Sequence, residues 1–117
     1  MLFNFKNLQQ IHLIHKSVDF RKGVIGLNYL LYEQNYTQYN VGDIFIFFSK
    51  NKRSLKILYY SRTGFELWYK KLSLGSYKIP ANLDRNYILS RKELKKLLSG
   101  YSILECGFEE ILTSKIL

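Results

Sequence analysis

Ile44-Phe45-Ile46-Phe47-Phe48, Leu55-Lys56-Ile57-Leu58-Tyr59-Tyr60 and Phe65-Glu66-Leu67-Trp68-Tyr69-Lys70-Lys71-Leu72 are three apolar and aromatic runs. Ser49 to Ser54 separates the first two, and Ser61-Arg62-Thr63-Gly64 the last two. Isoleucine, phenylalanine, tyrosine and tryptophan suit a pleated, half-buried surface, whereas Ser, Asn and Gly relax the chain into turns. The alternation of such runs and turns reads as a β-meander. Gly75 marks a further turn, and Ser76 to Ile79 begins an expected fourth strand.

Upstream, Ile11 to His15 is short, apolar and partly alternating, and reads as a strand. Val24, Leu27, Leu30 and Leu31 recur at helical spacing, which predicts a helix from about Phe20 to Tyr32. Ser17 or Asp19 is the expected cap, since either side chain can accept from first-turn amides. Arg21 and Lys22 then stand near the helix start, against the dipole, and a local rule broken in this way hints at a use. Downstream, Ser90-Arg91-Lys92-Glu93 matches a capping box; Leu94, Leu97 and Leu98 line the buried face of a second helix, and Gly100 is a natural stop.

The expected fold is therefore α+β: an N-terminal strand and helix, an antiparallel meander of about four strands, and a C-terminal helix. The first helix should cover one face of the sheet and leave the other open. With 117 residues the chain has the length of one domain, expected to span residues 1–117. An aromatic content of 16% argues against disorder. A lone Cys106 excludes an internal disulfide and suits a reducing compartment. The chain start lacks a signal-peptide core, and no run approaches the ~20 apolar residues that cross a bilayer. A cytoplasmic location, with no membrane partner, is the expectation.

Charge is distributed unevenly. The net formal charge is +9, and residues 44–78 hold eight basic residues against the single acid Glu66. Such an excess favours polyanionic partners, nucleic acid or less often an anionic membrane surface. Strand alternation groups Lys56 with Tyr60 and Trp68 with Lys70, and one sheet face is expected to carry all four. The turns add Lys50, Lys52, Arg53 and Arg62. Cations that neutralise phosphates, interleaved with aromatics that stack on bases, suit a nucleic-acid surface. A solvated antiparallel face is also polar and also accepts Tyr and Trp, so both readings stand at this point.

Catalytic constellations are not found. The nine acidic residues show no spacing that would hold a pair of catalytic metal ions. His12 and His15, three apart on a strand, point to opposite faces, which disfavours a shared metal. Gly23 and Gly26 form a G-x-x-G fragment inside the expected helix, better suited to close helix–sheet packing than to cradling phosphate. The expectation is a non-enzyme with no catalytic residues, no metal, no cofactor and no small-molecule substrate.

Six segments, in order, resemble one family. Val18-Asp19-Phe20-Arg21-Lys22-Gly23-Val24-Ile25-Gly26-Leu27 is similar to the signature T/V-D-M-R-K-G-x-D-G-L. Gly42 to Phe47 resembles G-x-L-F-V-F, Arg53 to Tyr60 R-x-x-K-V-L-Y-W, and Gly64 to Leu72 G-F-x-L-W-Y-K-R-L. Gly75 to Pro80 resembles G-x-F-x-W-P, and Leu89 to Gly100 L-S-x-x-x-L-x-x-L-L-x-G. The pattern is that of the TnpB-type small accessory protein, from a second small reading frame, of the insertion-sequence-sixty-six transposon family. It covers residues 11–101, so residues 102–117 form an extension. Ile25 replaces the signature's second Asp, Tyr60-Ser61-Arg62 its W-D-G, and Ile79-Pro80 its W-P.

The resemblance implies a non-catalytic transposition accessory protein. Its partners would be the transposase of the same element, which carries the catalytic carboxylates, and a second small accessory protein. Either DNA binding or a purely protein-bridging role fits that setting. Arg21 and Lys22 are the cationic signature residues, and Lys56, Lys70 and Lys71 the cationic strand positions. With the turn and aromatic residues, the expected DNA-binding set is Arg21, Lys22, Lys52, Arg53, Lys56, Tyr60, Arg62, Trp68, Lys70 and Lys71.

Overall fold

Seven elements appear in the computed structural model, which describes residues 7–80 and 83–100: β1 (Ile11–Leu13), α1 (Val24–Glu33), β2 (Ile44–Phe48), β3 (Ser54–Ser61), β4 (Gly64–Lys71), β5 (Tyr87–Leu89) and α2 (Arg91–Leu98). The strands form one sheet in the order β4-β3-β2-β1-β5. Strands β2, β3 and β4 pair antiparallel, as a meander should. Strand β1 lies parallel to β2, with Ile11 opposite Ile44, and α1 fills the connection between them. A parallel pair needs such a crossover, because no tight turn can reverse the chain twice.

The fold is α+β, but the sheet is five-stranded and mixed rather than a four-stranded antiparallel meander. Ser76 to Ile79 is not a strand. Gly75 bends the chain at φ 75°, the Tyr77 amide donates to the Lys52 carbonyl at 2.7 Å, and the Tyr77 side chain is buried. The segment is thus an irregular strap whose Tyr77 and Ile79 pack on the sheet. Antiparallel to β1, Tyr87–Leu89 supplies the additional strand.

Both faces of the sheet are covered. On one, Phe45, Phe47 and Leu58 pack with Leu27 and Leu31 of α1. On the other, Ile44, Ile46, Leu55 and Ile57 pack with Leu94 and Leu97 of α2 and with Tyr77 of the strap. Strand β2 is buried along its whole length, which accounts for its unbroken apolar sequence. The expected open face does not exist, because α2 and the strap occupy it.

Local chemistry explains the helix ends. In α2, the Ser90 Oγ accepts from the Glu93 amide at 3.0 Å and the Glu93 carboxylate accepts from the Ser90 amide at 2.9 Å, completing the expected capping box. Gly100, at φ 88°, follows the last turn, as its sequence position implies. Helix α1 starts four residues later than expected, with Gly23 as its cap and no side-chain hydrogen bond there. Neither Ser17 nor Asp19 caps it. The helix ends in a Schellman motif: Asn35 is left-handed at φ 69°, its amide reaches the Tyr32 carbonyl, and the Tyr36 amide reaches Leu31. Buried Asp43 joins the starts of β1 and β2, accepting from the Gln10 and Asn40 amides.

Candidate nucleic-acid interface

The pairing register decides where the expected site residues stand. Lys56 lies opposite Tyr69, Ile57 opposite Trp68, and Leu55 opposite Lys70. Directly opposed residues share a face, so Lys56 and Tyr60 lie on the α1 side while Trp68 and Lys70 lie on the α2 side. The expected single face of Lys56, Tyr60, Trp68 and Lys70 is therefore two faces. Alternation holds within each strand, but the relative register of two strands is set by their turn, here the two residues Arg62 and Thr63.

Lys56 is a structural residue. It is 8% exposed, and its Nζ donates to the Phe20 and Lys22 carbonyls, both at 2.7 Å. The ammonium also sits 5.1 Å from the Phe20 ring centre. Two of its three donors are spent on the loop before α1. Tyr60 is half-buried against Tyr39 and Phe65. Trp68 is half-buried and packs on the α2-side core.

The remaining cations separate by position along the sheet. Strand β2 ends, β3 begins and β4 ends at one edge of the molecule, where Ser54 opposes Lys71. The turn between β2 and β3 projects there; Asn51 Oδ1 accepts from the Ser49 hydroxyl and the Arg53 amide, which holds the loop shape. Lys52 adopts φ 60° in this turn. The loop after β1 runs alongside, since the Val18 amide donates to the Phe48 carbonyl. Lys56 fastens residues 20–22 above the same end, and the Tyr77–Lys52 hydrogen bond brings in the strap. Segments 16–22, 49–53 and 70–78 thus converge, carrying Lys16, Arg21, Lys22, Lys50, Lys52, Arg53, Lys70, Lys71 and Lys78.

Asp19 is the only acid in those segments, and Arg21 is bonded to it at 2.6 Å. The Arg21 side chain beside it holds the Asp19 carboxyl well below the usual range, and the Arg21 amide, which donates to Asp19 Oδ1, acts in the same direction. Asp19 therefore fixes the direction of Arg21, which is 90% exposed at its side chain. Asp84 and Arg85 follow at the β5 side of the sheet. Arg62 lies in the opposite turn, about 23 Å away along β3 at 3.3 Å per residue.

Of the ten expected residues, Arg21, Lys22, Lys52, Arg53, Lys70 and Lys71 stand on the segments that meet at this end, Lys70 on the α2 side with its Nζ donating to the Leu98 carbonyl at 3.5 Å; Lys56, Tyr60, Trp68 and Arg62 do not join them at that surface. Lys16 and Lys78 belong to this end but are absent from the expected set, because only tertiary hydrogen bonds place them there. Lys50 is visible in the sequence as a turn cation. Alternation puts Tyr69 on one strand side with Phe65 and Leu67, yet it is 57% exposed and stands in the same strand end, edge-on to Phe20. No periodicity could have revealed this, since the edge strand leaves its outer residues uncovered.

The histidines have separate structural roles. His12 stacks on Phe45 with ring centres 4.6 Å apart, while His15 lies beyond β1 and meets Asn86 at 2.8 Å. Burial pushes the His12 pKa down, and the Asp43 charge opposes this in part. Gly26 lies within α1, where a Cβ would touch the Lys22 side chain at 3.1 Å rather than the sheet. Cys106 and the extension 102–117 lie outside the described residues.

Residues 9–107 match the family model described as IS66 Orf2 like protein. The chain belongs to that family. An uncharacterized protein of Sinorhizobium fredii (strain NBRC 101917 / NGR234), y4jC, is 31% identical over 91 residues, covering 78% of each chain. No solved structure matches. Four of the six IS66 Orf2-like segments noted in the sequence, those starting at Val18, Arg53, Gly64 and Gly75, contribute to the cationic end. Among the described residues no helix is long and apolar enough to cross a membrane.

Proposed function

We propose that this IS66 Orf2-like protein is a non-catalytic transposition accessory factor that holds DNA by its phosphates at the cationic end of the sheet. The observation that carries the reading is the convergence of nine cations from three separate segments with one acid, itself paired to Arg21. A cationic concentration of this kind costs self-repulsion in the free protein, which a polyanion relieves. The arrangement favours phosphate contacts over base-edge readout, so sequence preference is expected to come from a partner, in the first instance the element's transposase.

Fluorescence anisotropy against transposon-end and scrambled duplexes, at several salt concentrations, tests this. Binding should weaken linearly in log salt, with similar slopes for both duplexes. The triple variant Lys50→Gln/Arg53→Gln/Lys71→Gln should lower the slope by about 2.7, at about 0.9 for each phosphate that is no longer neutralised. An unchanged slope would sink the proposal.

A second reading, protein bridging, is favoured by a different surface. Ile25, Tyr29 and Tyr32 are 86%, 61% and 65% exposed and follow i, i+4, i+7 spacing on α1. Such a stripe suits a helix seated in a partner's apolar groove. Co-purification of the nuclease-treated protein with the transposase, abolished by Ile25→Asp/Tyr29→Asp, is the expected outcome; retention by that variant excludes the stripe.

A further inference from the structure

We propose that the free edge of β4 joins two copies of this chain, in antiparallel register about a two-fold axis at Trp68, into one ten-stranded sheet. Strand β4 is the outermost strand on its side and, among the described residues, pairs only with β3. It is eight residues long, well above the short edge strands with which proteins usually guard against pairing.

The hydrogen bonds determine which groups the edge presents. The amide and carbonyl of Tyr60 bond toward β2, to the Asp43 carbonyl and the Gly42 amide, and the Leu72 amide donates to the Arg53 carbonyl. Strand alternation then turns the main-chain groups of Gly64, Glu66, Trp68 and Lys70 toward β3. Those of Phe65, Leu67, Tyr69 and Lys71 point outward, with no main-chain partner among the described residues. In a two-fold antiparallel pair centred on Trp68, Leu67 meets the partner's Tyr69 and Phe65 meets the partner's Lys71. All four residues then exchange main-chain hydrogen bonds with the partner copy, about eight in total. Trp68, Glu66 and Lys70 fall at the intervening positions, where opposed side chains approach most closely.

Charge selects this register. Glu66 stands opposite the partner's Lys70, and Lys70 opposite the partner's Glu66, so both charged positions meet their opposites twice. Within the chain, Glu66 opposes Tyr59 and Lys70 opposes Leu55, so neither faces an ionic cross-strand partner. A shift of the axis by one residue places Lys70 opposite Gly64 or Trp68, and a further shift toward the C-terminus sets it against itself. Among these registers only the Trp68-centred one, which pairs residues 65–71, sets Glu66 and Lys70 opposite each other. On the opposite face, Leu67 lies against the exposed ring of the partner's Tyr69. The arrangement is closed, as a two-fold contact must be, and leaves the second copy's β4 edge equally satisfied.

The test is the mass of the nuclease-treated, full-length protein by light scattering coupled to gel filtration, across a range of loadings. The wild type should reach twice the chain mass of 13.9 kDa. Glu66→Lys and Lys70→Glu each place like charges opposite one another at both contacts, and each should weaken association roughly tenfold. An equimolar mixture of the two variants should regain the dimer, because every altered position on one chain then faces the opposite charge on the other. The mixture also guards against misfolding, since a variant that failed to fold would not recover on mixing. A wild type that stays at the chain mass, single variants that remain fully dimeric, or a mixture no more associated than its components would each overturn the proposal.

Discussion

Replacing Lys56 by Met separates two accounts of that lysine. If Lys56 contacts phosphate, its removal weakens DNA binding and leaves stability alone. If it fastens the loop before α1, the opposite holds. Two charge-assisted hydrogen bonds, to the carbonyls of Phe20 and Lys22, disappear. Each such bond contributes about 1.5–3 kcal/mol. Methionine keeps most of the buried stem's packing and removes the need to desolvate an ammonium, which offsets part of the effect. The net cost expected is about 2–3 kcal/mol, a fall in Tm of roughly 10–20 °C for a domain of this size. Urea unfolding followed by circular dichroism reads the first quantity, and anisotropy against log salt, measured well below Tm, reads the second. Lys71→Met is the control: stability within about 0.5 kcal/mol of wild type and a salt slope lower by about 0.9. A Lys56→Met protein as stable as wild type, with a slope reduced as in Lys71→Met, would refute the structural role.

Tyr77→Phe should raise stability by about 1 kcal/mol in thermal unfolding, because the buried Tyr77 hydroxyl has no hydrogen-bond partner among the described residues and its pKa is pushed up to about 12 by burial; a fall in stability would show that the hydroxyl is satisfied. Gly42→Ala should cost about 2 kcal/mol or more on the same assay, since Gly42 has φ 100° and an added Cβ would lie 2.5 Å from the Asn7 carbonyl oxygen; near-neutral behaviour would mean that the β1 approach gives way. Because the folded His12 pKa lies below the ordinary 6.5, the unfolded chain takes up the proton first, so this contribution to stability is complete above that pH and is lost as the pH falls through it. Stability measured from pH 7.5 to 5 should therefore decline, and His12→Phe should flatten the decline; an identical pH profile in the variant would remove His12 as its source.

Much of the architecture is legible in the sequence because it rests on local rules. The three apolar runs are β2, β3 and β4, and Ser90 with Glu93 makes its capping box. What escapes are the relations between distant segments. The parallel pairing of β1 with β2 leaves no mark in either strand, because a crossover helix can deliver a strand to several positions. Strand β5, three residues long, is too short to show a period. Ser76 to Ile79 has strand-like residues, yet the left-handed Gly75 and the Tyr77–Lys52 hydrogen bond direct it across the sheet. The site is legible as charge but not as shape: the surplus on residues 44–78 is real, while which lysine faces water depends on what α1 and α2 cover.

Lys56 connects the two levels. Of the lysines that the sequence puts among the DNA contacts, Lys56 has its ammonium turned inward, and for that reason it matters to the surface. By holding the Phe20 and Lys22 carbonyls it fixes the loop that carries Arg21 and Lys22 over the end of β4. Asp19 then clamps the Arg21 guanidinium, so this loop is shaped before any partner arrives. Preorganisation of this kind spares the ordering cost that free lysine chains incur on binding. Charge and preorganisation make opposite predictions for Asp19→Asn. The substitution raises the net charge by one, which on charge alone should strengthen DNA binding; if the clamp matters, it frees Arg21 and should leave affinity unchanged or weaker at moderate salt. Anisotropy with the wild type and the variant at one salt concentration decides the matter, and clearly tighter binding by Asp19→Asn would show that charge, not the fixed direction of Arg21, governs the interface.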